Sequence, residues 1–429
     1  MQILITGPTG FIGGHLRARL RAGGHALVLA SRRAPAELDA NERWLPLDFA
    51  ALPPAASLAP QLEGIDVAIN AVGIFRESAV QTFDTVHARG PIAFFEACVA
   101  ARVKRIVQVS ALGADAEAAS RFHLSKRAAD EALLASGIEA VVAQPSLVFG
   151  ADGASSRLFL MAATLPLLPL PAGGRQRVQP IHIDDLTEAL AALCERRVAR
   201  TGRAVLVGAE ALPIVDYLQA LRRSLGLGPA ATFALPAFMG DAAARLVDAT
   251  SSHAFALEAW AMLRRGNEGP VETTRELLGR APRAPAAFVA PGQAAGLRIR
   301  AQIAWLLPVL RFSIAAVWIA TGIVSFGVYP AADSFALLER AGVPAALRPL
   351  ALYGAAALDL ALGVASLLMR RRRWLWLAQI ALILGYTAII TARLPEFWLH
   401  PYGPVLKNLP MLAALWLLFE LDRREASGP

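Results

Sequence analysis

Three glycines, Gly7, Gly10 and Gly13, follow the apolar run Ile3 to Ile5, and a helical pattern extends from Phe11 to Ala22. At these positions glycine allows a sharp turn, then a close approach of the backbone to a pyrophosphate, then close packing of helix against strand. The N–H groups at the helix N-terminus would face the ligand oxygens. The residues predicted to bind the phosphates of a dinucleotide are Gly7, Thr9, Gly10, Phe11, Ile12 and Gly13.

Two arginines, Arg32 and Arg33, follow the second predicted strand, Ala26 to Ala30. A site for NAD(H) normally carries an acidic residue there, which binds the 2′-hydroxyl of the ribose. A guanidinium at that place would instead bind a 2′-phosphate, although both arginines could also be solvated loop cations. We therefore expect NADP(H) as the preferred cofactor, with NAD(H) as the alternative.

Strand-like and helical segments alternate up to about residue 150, which is typical of a parallel, doubly wound α/β sheet of the Rossmann type. The predicted strands beyond the second are Val67 to Asn70, Arg105 to Ser110 and Ala140 to Gln144. The predicted helices are Phe83 to Ala101, Ser120 to Ala135, Asp184 to Glu195, Ile214 to Leu225 and Phe238 to Leu263. We expect a Rossmann core at 1–150, a substrate-side lobe at 151–280, a proline-rich linker at 281–303 and a membrane domain at 304–425.

The C-terminal part is strongly apolar. Hydrophobic residues make up 55% of the 429 residues, and the mean hydropathy of +0.46 is high for a soluble enzyme. The segments Phe312 to Tyr329, Ala351 to Met369 and Trp374 to Ala392 could each cross the ~30 Å hydrocarbon layer as a helix. A fourth segment, Pro404 to Leu421, predicts either a fourth span, which would complete an all-α four-helix bundle, or an interfacial helix.

Arginine clusters predict the orientation. They are Arg298 with Arg300, Arg370 to Arg373, and Arg423 with Arg424. With four spans, all three clusters fall on one side, which the excess of arginine marks as cytoplasmic. Met1 leads directly into a strand without a basic and apolar leader. We expect a multi-pass protein of a bacterial-type inner (plasma) membrane, with its head and C-terminus in the cytoplasm.

The net charge of +8 is assigned to anionic lipid headgroups, so membrane lipids are the expected partners. A nucleic-acid partner is not expected, because the basic residues do not gather with aromatic stacking partners. Cys98 and Cys194 lie in apolar helical segments and fit buried thiols. No cluster of ligand residues has the spacing of a metal site.

An ordered set of motifs carries a resemblance over roughly residues 1–200. The set comprises Thr6 to Gly13, Asp48, Asn70 to Gly73, Val109 to Ala111, Ser125 with Lys126, and Gln179 to Asp185. It resembles an atypical extended short-chain dehydrogenase/reductase, similar to the NADPH-binding accessory subunit of respiratory complex I. From about Ala304 to Glu425 the chain is similar to the DoxX-like four-helix membrane family, through Leu310-Arg311, His400 to Pro404 and Lys407 to Pro410.

The first resemblance implies roles for individual residues. Asp48 would bind the adenine, the turn Asn70-Ala71-Val72-Gly73 would lie along the cofactor, and Lys126 would hold the nicotinamide ribose. Ser110 matches the serine that orients the substrate in the family, with a plain strand-end hydroxyl as the alternative.

The family's chemistry also needs a tyrosine one helical turn before the lysine, whose ammonium lowers the pKa of the phenol for proton transfer. This chain has Phe122 there, and a phenyl ring cannot exchange a proton. His123, three residues before Lys126, could share the face of Lys126 and supply an acid near neutral pH, or it could be an exposed helix residue.

Asp359 stands in the middle of the second predicted span. A charged residue there costs at least ~2.5–3.5 kcal/mol, so it is expected to be protonated, paired or facing a polar cavity. Candidate partners are Arg311, Arg393 and Lys407, although Arg311 could instead extend to the interface. The alternative is that Asp359 only locks the helix bundle.

Two classes of function remain. In the first, the head binds NADP(H) without turning it over, as a structural or redox-sensing component of a membrane complex. In the second, it is an NADP(H)-dependent oxidoreductase or epimerase-like enzyme for a lipophilic substrate, such as a quinone or a lipid-linked molecule. Phe122 favours the first class, whereas the nucleotide loop, Ser110 and Lys126 would serve either.

Overall fold

The computed structural model describes residues 1–195, 200–250, 256–369 and 372–425. The chain divides into two compact units, Met1–Ala301 and Gln302–Pro429. Arg370 and Arg371 of the predicted arginine clusters lie outside the described residues, as does the middle of the helix predicted from Phe238 to Leu263.

The first unit is built on strands and their connecting helices. Its strands are β1 (Gln2–Thr6), β2 (Ala26–Ser31), β3 (Glu42–Pro46), β4 (Val67–Asn70), β5 (Arg105–Val109), β6 (Glu139–Pro145), β7 (Val148–Phe149), β8 (Leu167–Pro171), β9 (Arg177–Val178), β10 (Ile181–His182), β11 (Gly202–Leu206), β12 (Leu212–Pro213) and β13 (Ala231–Leu235). Its helices are α1 (Phe11–Ala22), α2 (Ala55–Leu58), α3 (Gly90–Ala100), α4 (Arg121–Ala135), α5 (Ala154–Ala163), α6 (Ile183–Cys194), α7 (Ile214–Ser224), α8 (Ala237–Thr250), α9 (Ala256–Arg265) and α10 (Glu272–Leu278).

Seven parallel strands form the main sheet in the order β11-β6-β5-β4-β1-β2-β3. The apolar residues of β1 are buried on both faces, which is expected when helices cover both sides of a parallel sheet. One core lies between the sheet and α1 and α6, and the other lies between the sheet, α3 and α4. The predicted doubly wound fold is confirmed, and the strand order reverses between β1 and β4, where such sheets open a ligand crevice.

The local predictions agree closely with the elements. Helix α1 has the predicted bounds, and the predicted strand Val67 to Asn70 is β4. The helix predicted from Phe83 to Ala101 begins as a π-helical stretch, Asp84–Arg89, before it becomes α3. Helices α8 and α9 occupy the two described parts of the helix predicted from Phe238 to Leu263.

The lobe that follows the main sheet has its own core, built from α5, α7 and β8. Residues predicted as a linker belong to this core, because Phe288, Val289, Leu297 and Ala301 are buried in it. Helix α11 (Pro291–Ile323) begins inside this region, so residues 291–303 are helical. The structure therefore differs from the predicted linker at 281–303, because its apolar side chains find a core to pack into.

The second unit is helical. Besides the rest of α11, which passes into a π-helical stretch at Val324–Val328, it contains α12 (Ala331–Arg340), α13 (Arg348–Leu368), α14 (Arg373–Arg393) and α15 (Asn408–Glu425). Short 3-10 helices lie at Ala345–Leu347 and Pro395–Trp398. Within the described ranges, three helical stretches are long and apolar enough to cross a membrane: Pro291–Val328, Ala345–Leu368 and Arg373–Arg393.

Four helices share the core of this unit, namely α11, α13, α14 and α15. Polar groups tie them together: Trp318 Nε1 donates to Gln379 Oε1 at 2.8 Å, and Gln379 Nε2 donates to Ser366 Oγ at 2.8 Å. The four-helix arrangement agrees with the sequence prediction. Helix α15 occupies the place of the fourth predicted span, but its charged C-terminal residues exclude it from the three stretches that meet the length and hydropathy criteria.

Asp359 is 5% exposed inside this bundle, and its Oδ1 has no hydrogen-bond partner among the residues that the structure describes. Arg311, one of its predicted partners, instead donates to Asp422 Oδ1 at 2.6 Å, and Trp376 Nε1 donates to Asp422 Oδ2 at 2.6 Å. The prediction of Arg311 as a partner of Asp359 is therefore wrong, because a carboxylate on α15 holds its guanidinium.

Candidate functional site

A cleft of about 560 Å³ opens at the carboxyl ends of β1 to β4. Its lining includes eight of the predicted cofactor-binding residues: Gly7, Thr9, Gly10, Arg32, Arg33, Asp48, Ala71 and Gly73. The cleft therefore lies at the point where the strand order reverses, and its volume is in the range of small-molecule and cofactor sites. Phe11, Ile12, Gly13, Asn70 and Lys126 do not line it.

The glycine loop needs glycine at two positions. Gly7 has φ +69°, in the left-handed region. A Cβ on Gly13 would lie 2.1 Å from the Gly7 carbonyl oxygen, so no other residue fits between loop and helix. Gly10 precedes α1 without a side-chain cap, which leaves the first amide groups of the helix without a side-chain acceptor. The ring of Phe11 lies outside the cleft and contacts Gly150.

Arg32 and Arg33 are exposed at the rim of the cleft. Among the described residues neither guanidinium has an ion-pair partner, whereas the nearby Arg17 and Arg21 are paired with Glu42 and Asp39. The backbone beneath the two arginines is fixed, because Trp44 Nε1 donates to the Ser31 carbonyl at 3.1 Å. The rim therefore presents two uncompensated positive charges on an ordered turn.

Asn70 shapes the cleft from behind. Its side chain is fully buried and accepts from Thr6 Oγ1 at 2.6 Å while it donates to Gln108 Oε1 at 2.7 Å. Its Oδ1 also accepts from the Val72 N–H at 3.2 Å. Asn70 thus holds the turn that lines the cleft, and only the backbone and side chains of the following residues reach the cleft itself.

Lys126 is buried behind the same turn, and its Nζ donates to the carbonyls of Val72 and Val109 at 3.2 Å each. A Cβ on Gly73 would lie 3.4 Å from this Nζ, so the ammonium is close to the wall of the cleft. Burial lowers the pKa of Lys126, and the Asp130 carboxylate opposes that shift. The lysine therefore joins the loop after β4 to the end of β5.

Asp130, one turn after Lys126 on α4, is fully buried. Burial raises its pKa, and the Ser110 hydroxyl, which donates to Asp130 Oδ2, opposes the shift. The hydroxyl hydrogen of Ser110, which was predicted to orient the substrate, is thus already donated to the Asp130 carboxylate. Sequence reasoning missed Asp130, although its spacing of four residues from Lys126 places both side chains on one face of the helix.

Phe122 occupies the tyrosine position and is 5% exposed. Its ring stacks on Phe75, with centroids 5.2 Å apart, and meets the edges of Phe83 and His87 at 5.9 and 5.2 Å. The structure therefore places an aromatic cluster, without a phenol, one helical turn before Lys126.

His87, which sequence reasoning also missed, is fully buried in this cluster. Its Nε2 accepts from the Ile74 N–H at 2.9 Å, so Nδ1 carries the proton and donates to Ser125 Oγ at 3.2 Å. Burial, and then the Lys126 charge, lower its pKa to about 2. His87 is accordingly neutral and structural. Its contact with the turn at Gly73 depends on the fold, so the sequence alone did not indicate this role.

His123 is buried at 4% exposure, so the alternative that it is an exposed helix residue is wrong. Burial and the nearby Arg265 lower its pKa to about 4, while a hydrogen bond to the Leu112 backbone opposes the shift. Its Nε2 is buried and has no hydrogen-bond partner within the described ranges. At neutral pH this ring is a neutral acceptor, which does not suit the predicted role of acid.

Among the residues described, no three His, Cys, Asp or Glu side chains gather in one place. Burial raises the pKa of Cys98 and, to about 12, that of Cys194, so both remain buried thiols. The chemistry of the head therefore centres on the cleft and the residues behind it.

Comparisons with known proteins agree with this geometry. Residues 3–208 match the model of the NAD-dependent epimerase/dehydratase family, and residues 315–416 match the DoxX-like family. The chain is 30% identical over 197 residues to a ceramide reductase of Caulobacter vibrioides, a match that covers 46% of this chain and 62% of the relative. It is 28% identical over 217 residues to the mitochondrial NADH dehydrogenase [ubiquinone] 1 alpha subcomplex subunit 9 of Arabidopsis thaliana, covering 48% and 52%.

The matches thus span between half and two thirds of each of these curated relatives. Among solved structures, a nucleoside-diphosphate-sugar epimerase from Staphylococcus aureus aligns over 67% of this chain and 99% of its own, with TM-score 0.56 and 17% identity. The UDP-glucuronic acid 4-epimerase from Bacillus cereus, solved with NAD, aligns over 70% and 100%, with TM-score 0.51 and 19% identity. At these identities the structural likeness concerns the fold.

Family models and fold agree for each part, and the apolar helices make the protein membrane-associated. The chain therefore joins an N-terminal domain that is similar to the NAD-dependent epimerase/dehydratase family, of the short-chain dehydrogenase/reductase type, to a C-terminal DoxX-like domain.

Proposed function

We propose that this protein is a membrane-anchored NADP(H)-binding component that does not use the tyrosine-dependent proton transfer of its family. It would act as a structural or redox-sensing part of a membrane complex, as suggested by the likeness to a subunit of mitochondrial NADH dehydrogenase. The observation that carries the proposal is Phe122, which is buried at the place of the proton donor.

The residues of the cleft fit a nicotinamide dinucleotide. The tight Gly7–Gly13 contact and the uncapped start of α1 suit a pyrophosphate, and Asp48, held in its own turn by the Ala50 N–H at 3.0 Å, would bind the adenine. The turn from Ala71 to Gly73 would lie along the cofactor, and Lys126 would reach the nicotinamide ribose past Gly73. When bound, the nicotinamide would give or accept a hydride.

Preference for the 2′-phosphate would come from Arg32. Its guanidinium borders the cleft without an ion-pair partner among the described residues, and Ser31 stands where an acid would bind a 2′-hydroxyl. A charge-assisted hydrogen bond contributes roughly 1.5–3 kcal/mol, or about ten- to a hundredfold in affinity. Arg32→Ala should therefore remove most of the preference for NADPH over NADH.

The matched control is Arg43→Ala on the neighbouring strand, an exposed arginine that does not line the cleft and whose guanidinium donates to the Gln61 carbonyl at 3.3 Å. Both variants should be titrated with NADPH and NADH by cofactor fluorescence. An unchanged ratio in Arg32→Ala would transfer the role to Arg33 or remove the NADP assignment.

Binding without turnover is the test of the main proposal. The purified full-length protein in detergent should bind NADPH and then be mixed with quinones and long-chain ketones or aldehydes while the absorbance of the cofactor is followed. We expect saturable binding and no consumption, because neither Phe122 nor the neutral His87 can deliver a proton. Rapid NADPH oxidation with any of these compounds would contradict the proposal.

A second candidate is an NADP(H)-dependent oxidoreductase, or epimerase-like enzyme, for a lipophilic substrate. Two observations favour it: the likeness to a ceramide reductase, and the buried Nε2 of His123, which could accept a proton from a substrate hydroxyl. In that case the wild type would oxidise an alcohol or reduce a ketone of a lipid, and His123→Ala would abolish the activity while NADPH still binds.

We further propose that the protein is multi-pass in a bacterial-type inner membrane, with α15 as a fourth crossing. The head and the C-terminus would then be cytoplasmic, which agrees with the arginine clusters and with a cytosolic supply of NADP(H). A reporter fused after residue 429 should score as cytoplasmic, whereas a periplasmic score would place α15 on the membrane surface.

A further inference from the structure

Helix α8 has its polar and apolar faces reversed relative to a water-exposed helix. Its two acidic side chains turn toward α9, where Asp241 Oδ1 accepts from Trp260 Nε1 at 2.9 Å and Asp248 Oδ1 accepts from the Ala256 N–H at 2.8 Å. A Cβ on Gly240 would lie 2.5 Å from the Trp260 ring, so this face is in tight contact. The side of α8 that packs against the protein is the side that carries its carboxylates.

The opposite face of α8 is apolar and exposed. Phe238 is 68% exposed, Leu246 is 65% exposed and Val247 is 51% exposed. Their spacing places them on one broad face of the helix, together with the exposed Met239, Ala242 and Ala243. We call this set the α8 face, and it consists of Phe238, Met239, Ala242, Ala243, Leu246 and Val247.

Exposed apolar side chains also occur on β8, which packs against α8, and on its partner strand β13. Strand β13 pairs with β8 in parallel, and each strand exposes a large apolar side chain, Phe233 at 56% and Leu167 at 48%. A cluster of exposed apolar side chains on one helix face marks a site of interaction with a protein or a membrane. These apolar side chains stay exposed in the folded head, so a lipid bilayer or another molecule is needed to shield them from water.

The lobe that carries this surface is connected along the chain to the apolar helices. Strand β8 contributes Leu168 and Leu170 to the core of the lobe, and α11 contributes Leu297 and Ala301 to the same core. Helix α11 then continues as part of the first stretch able to cross a membrane, Pro291–Val328. The lobe that carries the α8 face is thus the part of the head from which the chain proceeds into its apolar helices.

From these observations we propose that the α8 face is a membrane-contact surface that lies in the interfacial layer of the lipid bilayer. Amphipathic helices in this layer bury their apolar face ~5–10 Å into the boundary between headgroups and acyl chains. Arg245, exposed at the edge of the α8 face, suits anionic headgroups there. The inference rests on membrane association alone and does not depend on whether the head turns over its cofactor.

The test uses the full-length protein reconstituted into vesicles of phosphatidylcholine and phosphatidylglycerol. An environment-sensitive fluorophore is attached at Ala243→Cys on the α8 face, or at Glu63→Cys, an exposed control position in the Rossmann core. Cys98 and Cys194 are fully buried and should not react. Lipids that carry a nitroxide near the headgroup should quench the label at position 243, with a blue shift of its emission, and should leave the label at 63 unchanged.

Equal emission and equal lack of quenching at both positions would overturn the proposal. So would a label at 243 that is shielded from water but not quenched by lipid, together with disulfide-linked dimers of the unlabelled Ala243→Cys protein, because a second copy would then cover the α8 face. The double variant Phe238→Glu, Leu246→Glu in the labelled protein should lose the quenching while NADPH binding is retained. If that variant does not fold, the comparison of the labels at positions 243 and 63 still tests the proposal.

Discussion

Replacing Phe122 by tyrosine adds one oxygen to a buried ring that lies one helical turn before Lys126. The Lys126 ammonium has three N–H donors and uses two of them for the carbonyls of Val72 and Val109. One donor remains for the phenol oxygen, which would then be held in the position that proton transfer needs. If the phenol found no partner, the buried hydroxyl would cost about 1–3 kcal/mol in the free energy of unfolding.

The expected gain in rate follows from general acid catalysis. Such a group contributes typically ~10²–10⁴-fold, which corresponds to about 3–5 kcal/mol in the activation free energy. Because Lys126 is buried and its pKa is lowered, its positive charge would depend on the Asp130 carboxylate, which opposes that shift. Turnover of NADPH with a carbonyl compound or quinone should therefore appear in Phe122→Tyr above a silent wild-type background.

The matched control is Phe83→Tyr, which adds the same oxygen to the same aromatic cluster but comes from the chain before the π-helical stretch rather than from α4. Consumption of NADPH is followed by absorbance in all three proteins, and NADPH binding is checked by fluorescence. Equal rates in Phe122→Tyr and Phe83→Tyr, with binding intact, would refute the reasoning. A wild type that already turns over rapidly, and loses this with His123→Ala, would refute it as well.

Two further predictions concern stability. Because burial lowers the folded-state pKa of His87 to about 2, its contribution is present above the unfolded pKa and is lost as pH falls, by about 2 kcal/mol between about pH 6.5 and about pH 5. Asp130, whose pKa is raised, acts in the opposite sense, so the His87 effect is the difference from His87→Gln, whose melting temperature should vary less with pH. In the bundle, Asp359→Leu removes a carboxyl with an unsatisfied oxygen. This variant should increase the free energy of unfolding by about 1–3 kcal/mol, and its melting temperature in detergent should therefore be higher. A lower melting temperature would show that Asp359 has a stabilising partner.

The nucleotide-binding part of the fold could be predicted because its constraints are local. The requirement for glycine at Gly7 and Gly13 arises from backbone contacts within one loop, and the apolar strands on either side are continuous in sequence. The membrane helices are predictable for the same reason, since length and hydropathy are properties of single segments. The predicted linker failed because its apolar residues, such as Phe288 and Leu297, pack into a core that only the fold brings to them.

The surroundings of the candidate catalytic residues could not be predicted in the same way. Ser110 and Asp130 are twenty residues apart, and His87 meets Phe122 across two elements, so their contacts depend on how helices pack on the sheet. Similarly, the pairing of Arg311 with Asp422 joins residues 111 positions apart. Sequence spacing could only place Asp130 on the face of Lys126, and it could not show which group holds the hydrogen of Ser110.

These contacts change what the presence of Lys126 and Ser110 means for function. In a site without the phenol, a buried lysine would be costly unless the fold used it, and here two backbone carbonyls and a buried carboxylate account for it. Ser110 likewise donates its hydrogen to one oxygen of the buried Asp130 carboxylate, Oδ2. Both residues would be retained for the shape of the cleft even if no substrate were ever reduced, so their presence does not argue for catalysis. The question of turnover is therefore decided at the position of Phe122, whose ring has no proton to give, and at the Nε2 of His123, which has no hydrogen-bond partner among the described residues.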